Sequence, residues 1–225
     1  MSKELFTLAM LIVACGTAHA PEPAKIHPTQ ESLHSFTMRL IEDRAPTLPP
    51  YKKELLASNI ERTANKIFKE EEERKTFAAL VAVESGFNEK AVSTAKAVGL
   101  TQVLPHYSVG FMKVCGIDNF DPKDLQLIEL NLMAGACAFK QLLELNKGNT
   151  VAALVSYNAG MSSTSFKSLL KGLNIANTET ASYPSKILYL KEKTELANGV
   201  PRSNLNLGKS AEKRKAKSIS EGEAP

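Results

Sequence analysis

The chain has 225 residues, 43% of them apolar and 23% charged, with a net charge of +4. That length and balance suit one globular domain with tails, and exclude both a multi-domain assembly and a wholly disordered chain. No apolar run reaches the roughly 18 to 20 residues of a lasting membrane span, and the charge is too modest for a dedicated nucleic-acid binder, so no nucleic-acid partner is expected.

Residues 1–20 read as an export signal. Lys3, offset by Glu4, precedes an apolar run from Leu5 to Ala14. Ala18-His19-Ala20 fits the small-x-small cleavage rule, but Pro21 would then stand first in the mature chain and constrain the backbone beside the scissile bond. A cut after Ala18 is one alternative. Lipidation is the other, because Ile12-Val13-Ala14-Cys15 has the form of a bacterial lipobox with Cys15 as the acylated residue. Membrane contact is expected only through that lipid. The expected location is the periplasm or cell envelope, where conditions are oxidising. Beyond the signal only Cys115 and Cys137 remain. They form either a disulfide closing a loop of roughly 20 residues or two buried thiols. There is no C-x-x-C pair and the four His are scattered, so no metal is expected.

Pro21 to Pro28 is polar and proline-rich, the composition of a linker. Leu33, Phe36, Leu40 and Ile41 give residues 31–44 a helical period, broken by Pro46, Pro49 and Pro50. From Tyr51 a helical stripe runs through Leu55, Leu56, Ile60, Ala64, Ile67 and Phe68. Glu70 to Glu73, with Arg74 and Lys75, reads as a solvated helix face with i,i+4 pairs such as Glu70 to Arg74. A helix over Arg74 to Ser85 is stopped by Gly86, and residues 86–105 read as loop. A long helix is predicted over 122–146, with Asp121 as N-cap and Pro122 as first residue. Lys147-Gly148-Asn149 ends it. A short helix from Thr150 to Ala159 stops at Gly160, and a last amphipathic helix covers 182–196. Residues 201–225 hold few large apolar side chains and a basic cluster, Lys213-Arg214-Lys215-Ala216-Lys217, so a disordered basic tail is expected. With no convincing strand set, the fold class is mainly α. The expected layout is signal 1–20, linker and short helix 21–50, main domain 51–198 and tail 199–225.

One residue breaks two local rules. In the helix ending at Ser85, Phe77, Leu80 and Val81 share a face, and Glu84 is the i+7 position of that same face. Its carboxylate therefore points with the core. It also lies in the last turn, where the helix dipole disfavours negative charge. Both effects raise a carboxyl pKa, which suits a general acid working near neutral pH. An edge glutamate whose tip reaches water is the alternative.

Around it stand four ordered motifs. Glu84-Ser85-Gly86-Phe87 is followed by Ala91 and Ser93, then by Gly99-Leu100-Thr101-Gln102-Val103-Leu104-Pro105. Asn131 and Gly135 come next, then Ser156-Tyr157-Asn158-Ala159-Gly160, and last Glu179-Thr180 with Tyr183. This set resembles the soluble lytic transglycosylase family over roughly Lys53 to Leu196. The resemblance implies a lysozyme-like, goose-type helical domain with an irregular active-site loop region. By motif, Glu84 matches the family's catalytic acid and base, and Ser93 the serine that faces the substrate. Gln102 belongs to the Gly-Leu-x-Gln-x-x-Pro loop lining the glycan cleft. Tyr157 and Asn158 match the Tyr-Asn-Ala-Gly motif, whose tyrosine approaches the carboxylate, and Tyr183 matches a tyrosine lining the cleft. Two positions depart from the pattern. Lys96 stands where glycine is usual, which alters a tight turn. Thr101 stands where Met or Phe is usual, which removes apolar packing beside the sugar.

The resemblance also implies a reaction. Most glycosidases use two carboxylates, and these motifs supply one. Such an enzyme protonates the bridging oxygen of the MurNAc–GlcNAc bond, then deprotonates the sugar's own C6 hydroxyl, which closes a 1,6-anhydro ring without water or any cofactor. A hydrolytic muramidase and a non-catalytic glycan-binding assembly subunit are the alternatives. The implied partners are peptidoglycan glycan strands and an envelope-spanning secretion, conjugation or phage-entry complex.

Overall fold

A computed structural model describes residues 31–197. The expected export signal, lipidation at Cys15, linker Pro21–Pro28 and basic tail fall outside the described residues. Eight α-helices follow in order: α1 (Leu33–Arg44), α2 (Pro50–Ile67), α3 (Glu71–Ser85), α4 (Pro105–Val114), α5 (Ile128–Leu145), α6 (Thr150–Ala159), α7 (Thr164–Leu170) and α8 (Thr178–Leu196). The described residues hold no strand, only isolated bridges from Val98 to Val92 and to Val103.

Local chemistry sets most of the ends. Ser32, Asn149, Ser163 and Asn177 cap α1, α6, α7 and α8, each side chain accepting from a backbone N–H three residues on. Pro50 and Pro105 open α2 and α4, where a missing N–H costs nothing. Gly86 ends α3 in the left-handed region, φ 57°.

Four expectations need correction. The charge block belongs to the first turn of α3, and Glu70 is its N-cap residue. Arg74 does not pair with Glu70; it donates to the Phe68 and Lys69 carbonyls. The i,i+4 pair is Lys75 with Glu71, and Lys75 also reaches Glu195 of α8 at 3.3 Å. The long helix over 122–146 is two pieces, a 3₁₀ turn at Pro122–Gln126 and then α5. Leu127 between them is extended, and Asn131 takes the Leu125 carbonyl that a continuous helix would use itself. The last helix starts at Thr178 and tolerates Pro184 within it. Finally, α4 and α7 were not foreseen; both are short, and glycine, serine and proline blur their periodicity.

The core joins α1, α2, α3, α5 and α8, with Phe36, Leu40, Ile60, Phe77, Leu80, Phe139 and Ile187 fully buried. Helix α1, expected as part of an N-terminal segment, is packed into this core against α2 and α3. Helix α5 is central and packs on α2, α4 and α6. Helices α3 and α8 run antiparallel: Glu84 near the end of α3 meets Tyr183 near the start of α8, while Glu72 meets Lys191 at the other end. Cys115, just after α4, is disulfide-bonded to Cys137 of α5, with Cα atoms 5.9 Å apart. The bridge fixes α4 to the central helix.

The loop between α3 and α4 is anchored by one side chain. Asn131 of α5 accepts from the Thr101 N–H at 2.9 Å and from the Thr101 hydroxyl at 2.8 Å. Its amide donates to the Val98 and Leu125 carbonyls at 2.9 and 3.0 Å. Two glycines make the fit possible. A Cβ on Gly99 would stand 2.2 Å from the Asn131 amide nitrogen, and one on Gly135 would stand 2.4 Å from the Thr101 Cβ. Thr101 is thus fully buried against α5. It offers no surface to a ligand, and the family departure at this position falls on the seat of the loop.

Asn131→Ala removes these bonds and strands a buried N–H and two carbonyls. The expected loss is about 2 to 4 kcal/mol. Urea unfolding should show a lower midpoint with an unchanged slope. A change below about 0.5 kcal/mol would mean that the loop is held elsewhere.

Candidate active site

Phe77, Leu80 and Val81 of α3 are fully buried, and the same face carries Glu84 in its last turn, half-buried. The Tyr183 hydroxyl of α8 donates to Glu84 Oε1. Tyr183 itself is 5% exposed. Burial pushes the Glu84 carboxyl up from 4.5 to about 7; the Tyr183 hydrogen bond opposes this, and the charge of Glu179 adds to it. Near neutral pH this group exchanges its proton readily, the property a general acid and base needs.

Two tyrosines border the carboxyl. Burial, then the neighbouring Glu84 charge, hold both the Tyr157 and Tyr183 hydroxyls well above their usual range, so both stay protonated. Their hydroxyls bond different partners. The Tyr157 hydroxyl donates to the Thr101 carbonyl at 2.8 Å, and Tyr183, expected only to line a cleft, is the tyrosine bonded to Glu84. The ring of Tyr157 packs edge-on against Phe139, centroids 6.4 Å apart.

A cleft of about 550 Å³ opens beside one of the two tyrosines, Tyr157. Gln102 to Leu104, Tyr107 and Phe111 of α4, the Ala138–Leu145 stretch of α5 and the end of α6 line it. Gln102, Tyr157 and Asn158 are among its lining residues; Ser93 and Glu84 are not. Tyr157, whose hydroxyl feels the Glu84 charge, joins the cleft to the acid. Gln102 sits at φ 49° and turns its amide back to the Ala91 and Gly99 carbonyls at 3.2 and 2.9 Å. Asn158 accepts from the Thr180 hydroxyl at 2.9 Å, which ties α6 to α8. Ser93 acts as a loop cap, its Oγ accepting from the Ala97 N–H at 3.0 Å. Lys96 takes the left-handed conformation, φ 67°, that glycine would adopt more easily, so the tight turn survives the substitution.

Sequence reasoning quoted Glu179, Asn131 and Gly135 within motifs but gave them no role. The structure sets the charge of Glu179 on the acid and makes Asn131 and Gly135 the seat of the loop. Tyr107 and Phe111 of the cleft wall carried no motif at all. Among the described residues, no group of three or more His, Cys, Asp or Glu is placed to hold a metal ion.

Residues 62–173 match the family described as Transglycosylase SLT domain. Among solved structures, the fold is similar to the 70 kDa soluble lytic transglycosylase of Escherichia coli, with TM-score 0.56 and 16% identity over 76% of this chain and 31% of that one. It is also similar to an inactive mutant of the lytic transglycosylase Slt of Pseudomonas aeruginosa, with TM-score 0.53 and 21% identity over 73% of this chain and 30% of that one. The chain thus spans less than a third of the length of either protein.

The raised carboxyl fixes a sign for stability. Between pH 4.5 and about 7 the folded chain keeps a proton on Glu84 that the unfolded chain releases. Stability relative to Glu84→Gln is therefore greatest below pH 4.5 and falls as pH rises through 7. The expected change is roughly 2 to 3 kcal/mol. Urea denaturation of both proteins at pH 4.5 and pH 8 measures it, and a constant gap between them would contradict the burial of this acid.

Proposed function

Because the chain belongs to the transglycosylase SLT-domain family, we propose that it is a peptidoglycan lytic transglycosylase with Glu84 as its single acid and base. The observation that carries this reading is a carboxyl group at the end of α3 that burial pushes up to about 7, hydrogen-bonded by Tyr183 and neighboured by Tyr157, which lines an open cleft.

In this mechanism a glycan strand lies in the cleft with a MurNAc–GlcNAc bond at Glu84. Glu84 gives its proton to the bridging oxygen, and the C1–O bond breaks. The departing GlcNAc carries that proton as its hydroxyl, and the cationic MurNAc ring is stabilised by its N-acetyl group and nearby dipoles. Glu84, now a carboxylate, takes the proton of the C6 hydroxyl as that oxygen bonds to C1. The 1,6-anhydro product forms and the acid is restored, with no water consumed. Tyr183 steadies the carboxylate between the two steps, and Tyr157 keeps the loop carrying Gln102 against α6. Glu179 is exposed, so it lacks the desolvated setting of a second catalytic carboxyl and acts on Glu84 through its charge.

The site residues assigned on this reading are Glu84 for proton transfer, Tyr183 for its orientation, and Gln102, Tyr157 and Asn158 for the glycan. Ser93 shapes the loop. An enzyme of this kind opens the wall locally, which fits a chain exported to the envelope and working with a secretion, conjugation or phage-entry complex.

Purified protein incubated with isolated sacculi tests the reaction. The expected products end in 1,6-anhydroMurNAc, lighter by one water than hydrolysis products. Glu84→Gln should fold normally and lose at least about 100-fold in rate, the usual weight of a positioned acid. Reducing-end products would make the protein a hydrolase instead. A folded Glu84→Gln protein within threefold of wild type would remove Glu84 from the mechanism.

A further inference from the structure

Helix α4 presents an aromatic side chain to the cleft that no motif marks. Tyr107 lines the cleft yet is 55% exposed. Its ring is buttressed by His106, centroids 3.9 Å apart, and by Phe111, 6.3 Å away, which lines the same cleft. The backbone beneath it is fixed. Ser108 donates to the Pro105 carbonyl at 2.6 Å, Met112 is fully buried, and the disulfide holds the end of α4 to α5. A large exposed aromatic on so firm a base is preorganised for a ligand, with little side-chain entropy left to lose.

The rest of the lining identifies the ligand's chemistry. Glutamine, asparagine and serine side chains, at Gln102, Gln141, Asn158 and Ser162, alternate with aromatic and aliphatic ones, and no lining residue is charged. A pyranose has hydroxyls around its rim and an apolar face of C–H groups. Amides and hydroxyls suit the rim, and an aromatic ring, negative on its face, suits the C–H groups. Peptide stems carry free carboxylates and amines, for which the cleft provides no counter-charge. We propose that Tyr107 is a sugar-stacking residue, and that this cleft grips the strand by a neutral N-acetylhexosamine lying on this ring rather than by its peptides. This rests on the reading of the protein as a glycan-cleaving enzyme, and it adds a specificity residue to that reading.

The test uses chitotetraose, a neutral N-acetylhexosamine tetramer, titrated calorimetrically into the full chain bearing Glu84→Gln, so that binding is read without turnover. Tyr107→Ala in that background should weaken binding at least about tenfold, and Tyr107→Phe should keep it within about twofold, because the ring and not the hydroxyl makes the contact. Tyr189→Ala, which removes a tyrosine 67% exposed outside the cleft, should change nothing. All variants should melt together. Wild-type affinity in Tyr107→Ala, or equal loss in Tyr107→Phe, would overturn the stacking role. So would tighter Tyr107-dependent binding of a sugar-free stem peptide. Digestion of sacculi by the otherwise unaltered chain separates this proposal from the enzymatic reading. Cleavage with Tyr107-independent binding sinks only the stacking residue; Tyr107-dependent binding without an anhydro product sinks only the lytic activity.

Discussion

A carboxyl group held partly out of water at the end of α3 imposes demands on everything around it. Removing Glu84 from solvent costs free energy in the charged form, so the surrounding structure must hold it there. The antiparallel pairing of α3 with α8 does this. At one end Tyr183 bonds the carboxyl; at the other, Glu72 meets Lys191 and Lys75 meets Glu71 and Glu195. Glu72 is exposed, but Lys191, Lys75 and Glu195 are largely shielded from water, and together they fix the sliding register of two helices that otherwise meet through apolar side chains. Register matters because Tyr183 lies in the second turn of α8, where a one-turn slip of about 5.4 Å would carry its hydroxyl away from Glu84.

A second chain of contacts shapes the cleft. Asn131 holds Thr101, whose carbonyl receives the Tyr157 hydroxyl, and the next residue is Gln102. Gly99 and Gly135 let loop and helix approach closely enough for this. The loop backbone would otherwise be an irregular segment with buried polar groups and no ladder to satisfy them. One asparagine supplies that ladder's function, and the tyrosine from α6 completes it. The disulfide does the equivalent work on the opposite wall, where α4 is short and rests on only a small apolar cluster around Val103, Met112, Leu125 and Ala134. Both devices keep the cleft walls fixed while the acid stays where it is buried.

Much of this was legible in the sequence for physical reasons. The helices α1, α2, α3, α5, α6 and α8 carry clear apolar periods, so their existence followed from the 3.6-residue repeat. Their starts were less clear. Asp121-Pro122 is a good helix opening, yet it opened a 3₁₀ turn, where the Leu125 carbonyl accepts from the side chain of Asn131. The charge block looked solvated since nothing local to it reveals α8, whose lysine and glutamate arrive from more than a hundred residues away. Glu84 stood out as a charge on an apolar face, a conflict visible without a fold. The division of labour between Tyr157 and Tyr183 was not visible. Both are aromatic residues in quoted motifs, and only the packing of α6 and α8 decides which hydroxyl meets the carboxyl. Tyr107 gave no signal because an exposed aromatic is unremarkable until a cleft is seen beneath it.

The carboxyl pKa of Glu84 is the quantity on which the acid-and-base role turns. Titrating the side-chain carboxyl by ¹³C NMR in protein labelled at glutamate, with Glu84→Gln used to assign the resonance, measures it directly. A midpoint near 7 is the expected result, displaced from the ordinary 4.5 by burial. A midpoint close to 4.5 would show a solvated carboxylate at the end of α3, already ionised at neutral pH and without the proton that the first step requires.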